Sequence, residues 1–147
     1  MNCSRLFLSF MIALLLFVSA FAAEEAEVKI TFTPLEKDSL TGFTPIEHAT
    51  FVIQADAATI YVDPVGEVES FKDFPVPDII LITDIHYDHF EPAVIAALKS
   101  EKTVIIGPQA VIGQLGYGEA LNNGETKTVN GISIEAIPAY NMTPERL

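Results

Sequence analysis

Cysteine is almost missing from this sequence, with Cys3 alone in 147 residues. A framework of disulfide bridges is therefore excluded, and an exported form would have to be stable without one. Basic residues are also scarce: 8 Lys and Arg stand against 20 Asp and Glu, for a net charge of −12. Nucleic acid and anionic membrane surfaces are bound by clustered cations, so neither is expected as a partner. Charged residues make up 19% and apolar residues 50%, which excludes a disordered tail. No internal repeat and no Gly/Ser- or Pro-rich linker divides the chain. At roughly 100–200 residues per domain, its length accommodates one domain and not two.

The longest apolar run lies at the N-terminus. Residues 6–18 follow Arg5, close on Ala20-Phe21-Ala22 and precede Glu24 and Glu25. A basic start, an apolar middle and a small-x-small site have the form of a secretory signal peptide. A membrane anchor is the weaker reading, because Ser9 and Ser19 interrupt the run and no cationic cluster follows it. The sequence thus predicts a signal peptide over residues 1–22, lost together with Cys3. The remainder, residues 23–147, is expected to be periplasmic or secreted, without stable membrane insertion.

Beyond residue 22 the pattern is mixed α/β. Val28, Ile30 and Phe32 alternate with Lys29 and Thr31, the period-2 mark of a half-buried strand. A second strand is expected over residues 48–54, with a turn at 55–58 and a hairpin partner over 59–62 that Pro64 stops. Ile79-Ile80-Leu81-Ile82 is apolar without alternation, as is Val104-Ile105-Ile106, and both read as strands buried on two faces. Residues 92–99, with Pro92 in the first turn, and residues 108–115 read as helices. A turn is expected at Asn122-Asn123-Gly124, and residues 128–137 around Asn130-Gly131 form a hairpin or a long bent strand. Parallel units flanked by hairpins imply a mixed sheet. Two helices are few to cover both of its faces, and no element is completed by Pro144-Glu145-Arg146-Leu147, so the sequence predicts a truncated, partial domain.

Chemistry concentrates in Thr83-Asp84-Ile85-His86-Tyr87-Asp88-His89-Phe90, directly after the buried strand. Asp84, His86, Asp88 and His89 are potential metal ligands. In an extended segment the first three point one way and His89 the other, unless the chain turns at Asp88, which would let one loop face two adjacent metal ions. Imidazole and carboxylate are ligands for Zn²⁺, Mn²⁺ or Fe, and the end of a strand can fix their geometry. A lone loop histidine would be an ordinary surface residue. Two of the three histidines within four positions, beside two aspartates, point instead to a divalent metal site.

This stretch resembles the HxHxDH signature of the metallo-β-lactamase superfamily, standing here as Asp84-x-His86-x-Asp88-His89. The likeness extends to Glu47-His48-Ala49-Thr50-Phe51, to Ile60-Tyr61-Val62-Asp63-Pro64, to Pro77-Asp78-Ile79-Ile80 and to Ile137-Pro138-Ala139-Tyr140-Asn141. Together these are similar to the branch of metal-dependent hydrolases and ascorbate-6-phosphate lactonase-like proteins. The resemblance implies an αββα sandwich, of which this chain would be the N-terminal part, and one or two ions, commonly Zn²⁺. It implies hydrolysis of an ester, lactone, amide or phosphodiester bond in a small-molecule substrate by a metal-activated water. His86 would help hold the first ion, Asp88 and His89 would belong to the second, and Asp88 would orient the water. Asp63 would support the loop, and His48 would orient a ligand without touching the ion.

Two positions depart from the signature: Asp84 replaces its first histidine, and Asn141 stands where several relatives place a histidine ligand. Carboxylate in place of imidazole adds negative charge at the ion and favours harder ions such as Mn²⁺ or Mg²⁺. The late Gly-Asp-Thr-like motif and final histidine of the family do not occur in these residues. Tyr87, Phe90 and Tyr140 are candidate walls of a substrate site. Two competing expectations are a metal-binding module without turnover, suggested by Asp84 and Asn141, and an inactive fragment of such a hydrolase.

Overall fold

Alternation sets the first strand, β1 (Glu27–Phe32), of the computed structural model, which describes residues 27–32 and 40–139. The signal-peptide segment, Tyr140 and Asn141 lie outside the described residues. An antiparallel meander follows, formed by β2 (Leu40–Glu47), β3 (Thr50–Ala55) and β4 (Ala58–Val62). Here the structure corrects the sequence reading. The strand expected over 48–54 starts only at Thr50, because His48 and Ala49 form a turn, with His48 at φ 47°. The preceding strand β2 was not anticipated. It carries Gly42 and Pro45, residues depleted in strands, and tolerates them at the sheet edge with register shifts beside each.

The chain then becomes an α/β unit. A 3₁₀ turn (Val68–Phe71) leads to β5 (Ile79–Leu81), α1 (Pro92–Leu98), β6 (Val104–Gly107), α2 (Gln109–Leu115) and the two-residue β7 (Glu119–Ala120). Pro92 begins α1, where its missing N–H has no intrahelical partner to lose, and Gly116 ends α2 in the left-handed conformation at φ 79°. The last pair, β8 (Thr126–Val129) and β9 (Ile132–Ala139), is joined at Asn130 and Gly131, both at positive φ (50° and 81°), as a primed hairpin turn requires.

The main sheet runs β2-β3-β4-β5-β6-β7, antiparallel through β4 and parallel from β4 onward, so it is mixed as expected. The hairpin β8/β9 belongs instead to a second sheet, β1-β9-β8. That sheet answers the shortage of helices. Ile53, Ile60, Val62, Ile79, Leu81 and Ile106 pack against Val129, Ile132, Ile134 and Ala136 of the second sheet. On the opposite face Val52, Tyr61, Ile80, Ile82 and Ile105 pack under Phe71, Phe90, Val94, Ile95 and Val111. The described layers are therefore helix, sheet, sheet, and both faces of β5 are covered. No helix among the described residues is long and apolar enough to cross a membrane.

Parallel β4, β5 and β6 all release their C-terminal ends at one edge of the sheet. In open α/β sheets that edge is where ligands bind. The segment after β4 carries Asp63, and the segment after β5 carries residues 82–91.

Candidate metal-binding loop

Asp63 ends β4 with its backbone at φ 45° and is 1% exposed. Its position is fixed from three directions. Its N–H donates to the carbonyl of Leu81 at 2.8 Å, its carbonyl accepts from the Thr50 hydroxyl, and its carboxylate takes up the start of the loop after β5. Oδ1 accepts the Thr83 N–H at 2.7 Å, and Oδ2 accepts the Thr83 hydroxyl at 2.6 Å and His89 Nδ1 at 2.9 Å. Burial pushes the Asp63 carboxyl above its ordinary range, and the bonds from Thr83 and His89 lower it against that effect. A strand-terminating aspartate would be solvated; this one is buried and bonded to the start of the loop.

The loop turns sharply. The N–H groups of His89 and Phe90 both donate to the carbonyl of His86 at 2.9 Å. The chain does turn, over residues 87–89, and His86 is left outward while His89 is inward. His89 is held inward, with Nδ1 on Asp63 and also 3.1 Å from Thr83 Oγ1, while its Nε2 lies 3.8 Å from Asp88 Oδ2. His86 stands outward, its side chain 68% exposed, with Nδ1 on Asp84 Oδ2. Asp84 Oδ1 accepts the N–H of Ile85 at 2.6 Å. The four loop residues therefore form pairs, and among the described residues no three His, Cys, Asp or Glu side chains converge closely enough to hold an ion. As chemistry, two imidazoles and nearby carboxylates fit a divalent ion, and a carboxylate on each Nδ1 is what orients a ligating histidine.

The other expected residues divide. His48 is exposed on the β2–β3 turn, two positions before Thr50, and it is Thr50 that reaches Asp63. Phe90, one of the candidate wall residues, is 6% exposed in the core beneath the helices and packs the loop's base. Tyr87 is 86% exposed at the turn. The roles of Thr50, Thr83 and Glu91 were not read from the sequence. Thr83 is adjacent to the loop and could have been suspected, whereas Thr50 and Glu91 act across long sequence separations. Glu91 Oε2 accepts the N–H of Gly66 at 3.0 Å and so ties the segment after β4 to the segment after β5.

A mixed sheet thus carries a histidine- and aspartate-bearing loop at the C-terminal ends of its parallel strands. The family described as the Beta-lactamase superfamily domain matches residues 43–146, and the chain belongs to it. The chain is 29% identical over 106 residues to a UPF0173 metal-dependent hydrolase of Methanopyrus kandleri, covering 67% of this chain and 46% of that protein. The crystal structure of a Parabacteroides distasonis protein bearing the name metal-dependent hydrolase is 40% identical with a TM-score of 0.63, over 69% of this chain and 47% of that one. Igni18, a metallo hydrolase of the archaeon Ignicoccus hospitalis, shares the fold at 19% identity and a TM-score of 0.56, over 71% and 51% of the two chains. The chain spans about half the length of the first two of these relatives.

Proposed function

We propose that the protein is a metal-dependent hydrolase acting on an ester, lactone, amide or phosphodiester bond of a small-molecule substrate. The observation that carries this reading is the loop of residues 83–90, anchored on buried Asp63 at the ligand-binding edge of the sheet. His86 would contribute to one ion and Asp88 with His89 to a second, and Zn²⁺ suits imidazole-containing sets of this kind. A bound divalent ion supplies a Lewis acid for the scissile carbonyl or phosphoryl oxygen and lowers the pKa of water.

The chain's own residues perform the rest. Asp63 orients His89 through Nδ1, and Thr83 shares that contact, so the ring is set before any ligand arrives. Asp88, partly exposed beside His89, would accept a proton from the attacking water. Tyr87, 86% exposed in the turn between His86 and Asp88, would be the residue that meets a substrate.

Purified protein loaded with Zn²⁺, Mn²⁺ or Mg²⁺ should turn over at least one of the four bond classes, and His86→Ala should abolish that turnover. Metal uptake without turnover in any class would overturn the enzymatic reading in favour of a non-catalytic metal-binding module. That second reading draws on the absence, among the described residues, of three converging donors.

We also infer export. The support is the signal-like order of Arg5, apolar residues 6–18 and Ala20-Phe21-Ala22. N-terminal sequencing should find mature protein beginning at Ala23, and protein retaining Met1 would refute it.

A further inference from the structure

We propose that the Thr50 hydroxyl is a positioning group of the candidate metal site: it holds the Asp63 carbonyl and so fixes the backbone from which the Asp63 carboxylate reaches the loop after β5. The metal part of this inference rests on the function proposed above; the backbone part stands without it.

Asp63 stands where two backbone preferences are broken at once. Its φ of 45° is left-handed, a region that most residues with a side chain avoid, and Pro64 follows it. A residue before proline is pushed toward extended backbone by the proline ring. Such a conformation persists only where its surroundings impose it, and strained residues of this kind gather at functional sites. Two bonds impose it here. The Asp63 N–H donates to the Leu81 carbonyl on one neighbouring strand, which sets the peptide plane before Cα. From the other neighbouring strand the Thr50 hydroxyl donates to the Asp63 carbonyl, which sets the plane after Cα. With both planes held, the direction of Cβ is fixed, and it aims the carboxylate at the N–H and hydroxyl of Thr83 and at His89.

Thr50 is suited to this by its place at the end of the β3–β4 ladder. The paired residues run from Ala55 with Ala58 to Phe51 with Val62 and end there, so Thr50 and Asp63 are the next residues along. A side chain takes over where the ladder stops. The backbone of Thr50 is itself set, because it faces Glu47 across the two-residue turn of His48 and Ala49. Thr50 and Asp63 are each 1% exposed, so water is not at hand to replace the hydroxyl, and a carbonyl deprived of it loses its donor. Serine at this position keeps the donor; valine, of nearly the same shape as threonine, does not.

The test compares Thr50→Val with Thr50→Ser by amide hydrogen exchange on the full, metal-free chain. The Thr83 N–H reports the hold of Asp63, and the Val104 N–H, bonded to Asp78 at the opposite end of the parallel strands, reports the sheet as a whole. In Thr50→Val the ratio of the Thr83 rate to the Val104 rate should rise about 5–100-fold, and in Thr50→Ser it should stay at the parent value. Should Thr50→Val fail to fold, Thr50→Ala makes the same comparison. With metal, Thr50→Val should weaken Zn²⁺ binding about 10-fold and Thr50→Ser should not. An unchanged ratio in Thr50→Val would make Thr50 a residue of general stability and overturn the proposal. So would a Thr50→Ser protein that behaves like Thr50→Val. A rise in the ratio without loss of Zn²⁺ affinity would overturn the metal part. If the parent chain binds no Zn²⁺, the proposed function fails while the exchange comparison still decides the role of Thr50.

Discussion

Asp63 combines near-complete burial with three accepted hydrogen bonds, and removing its side chain exposes what each bond was doing. Asp63→Ala leaves the Thr83 N–H and the His89 ring without their acceptor, and each buried orphan costs about 1–3 kcal/mol, readable in urea unfolding. Burial raises the folded-state pKa above the unfolded value of 3.8, so the folded chain holds this proton to higher pH than the unfolded chain. Within that window the native state binds more protons, and this contribution to stability falls as pH rises. The difference between the metal-free native protein and Asp63→Asn, followed across pH, should show that slope. Tyr87 and Phe90 make a second contrast on the same loop. Tyr87→Ala should change stability by no more than about 0.5 kcal/mol, and Phe90→Ala should lose about 3–5 kcal/mol. The loop's donors were readable because residue type and clustering carry the signal locally. The hold of Asp63 on residues 20 and 26 positions later has no local signal and was implied by the family resemblance alone, since it exists only once β4 and β5 lie side by side.

Among the elements, those with strong local chemistry were legible. Ile79-Ile80-Leu81 announced a strand buried on both faces, Asn130-Gly131 a tight hairpin, and Pro92 a helix start. β2 was hidden by Gly42 and Pro45, whose cost is small at an edge where no neighbour needs their hydrogen bonds. The segment linking β4 to the 3₁₀ turn carries Gly66 at φ 82°, a conformation that a side chain strains, whereas the exposed Glu47 carboxylate beside it can move aside. Gly66→Ala should therefore destabilise by about 1–3 kcal/mol and loosen the Glu91 tie; a protein as stable as the parent in thermal unfolding would contradict this.

At the scale of the molecule, the second sheet was the element that pattern alone could not supply, because nothing local says which sheet a hairpin joins. Its importance can be measured at Ile134, 3% exposed between the sheets, where truncation to Ala should cost about 2–5 kcal/mol in denaturant unfolding. The charge balance acts globally too. With 20 acidic residues against 8 basic, self-repulsion opposes the compact state, and raising salt to about 0.5 M should raise Tm by screening it.

The pairing of β1 with β9 sets Glu27 opposite Ala139. The first strand of the described chain to leave the ribosome is thus one of the last to find its neighbour, and the loop between them must close before the bond energy is recovered. Distant partners of this kind slow folding. Until β9 has been made, β1 waits with its amides and carbonyls still bonded to water.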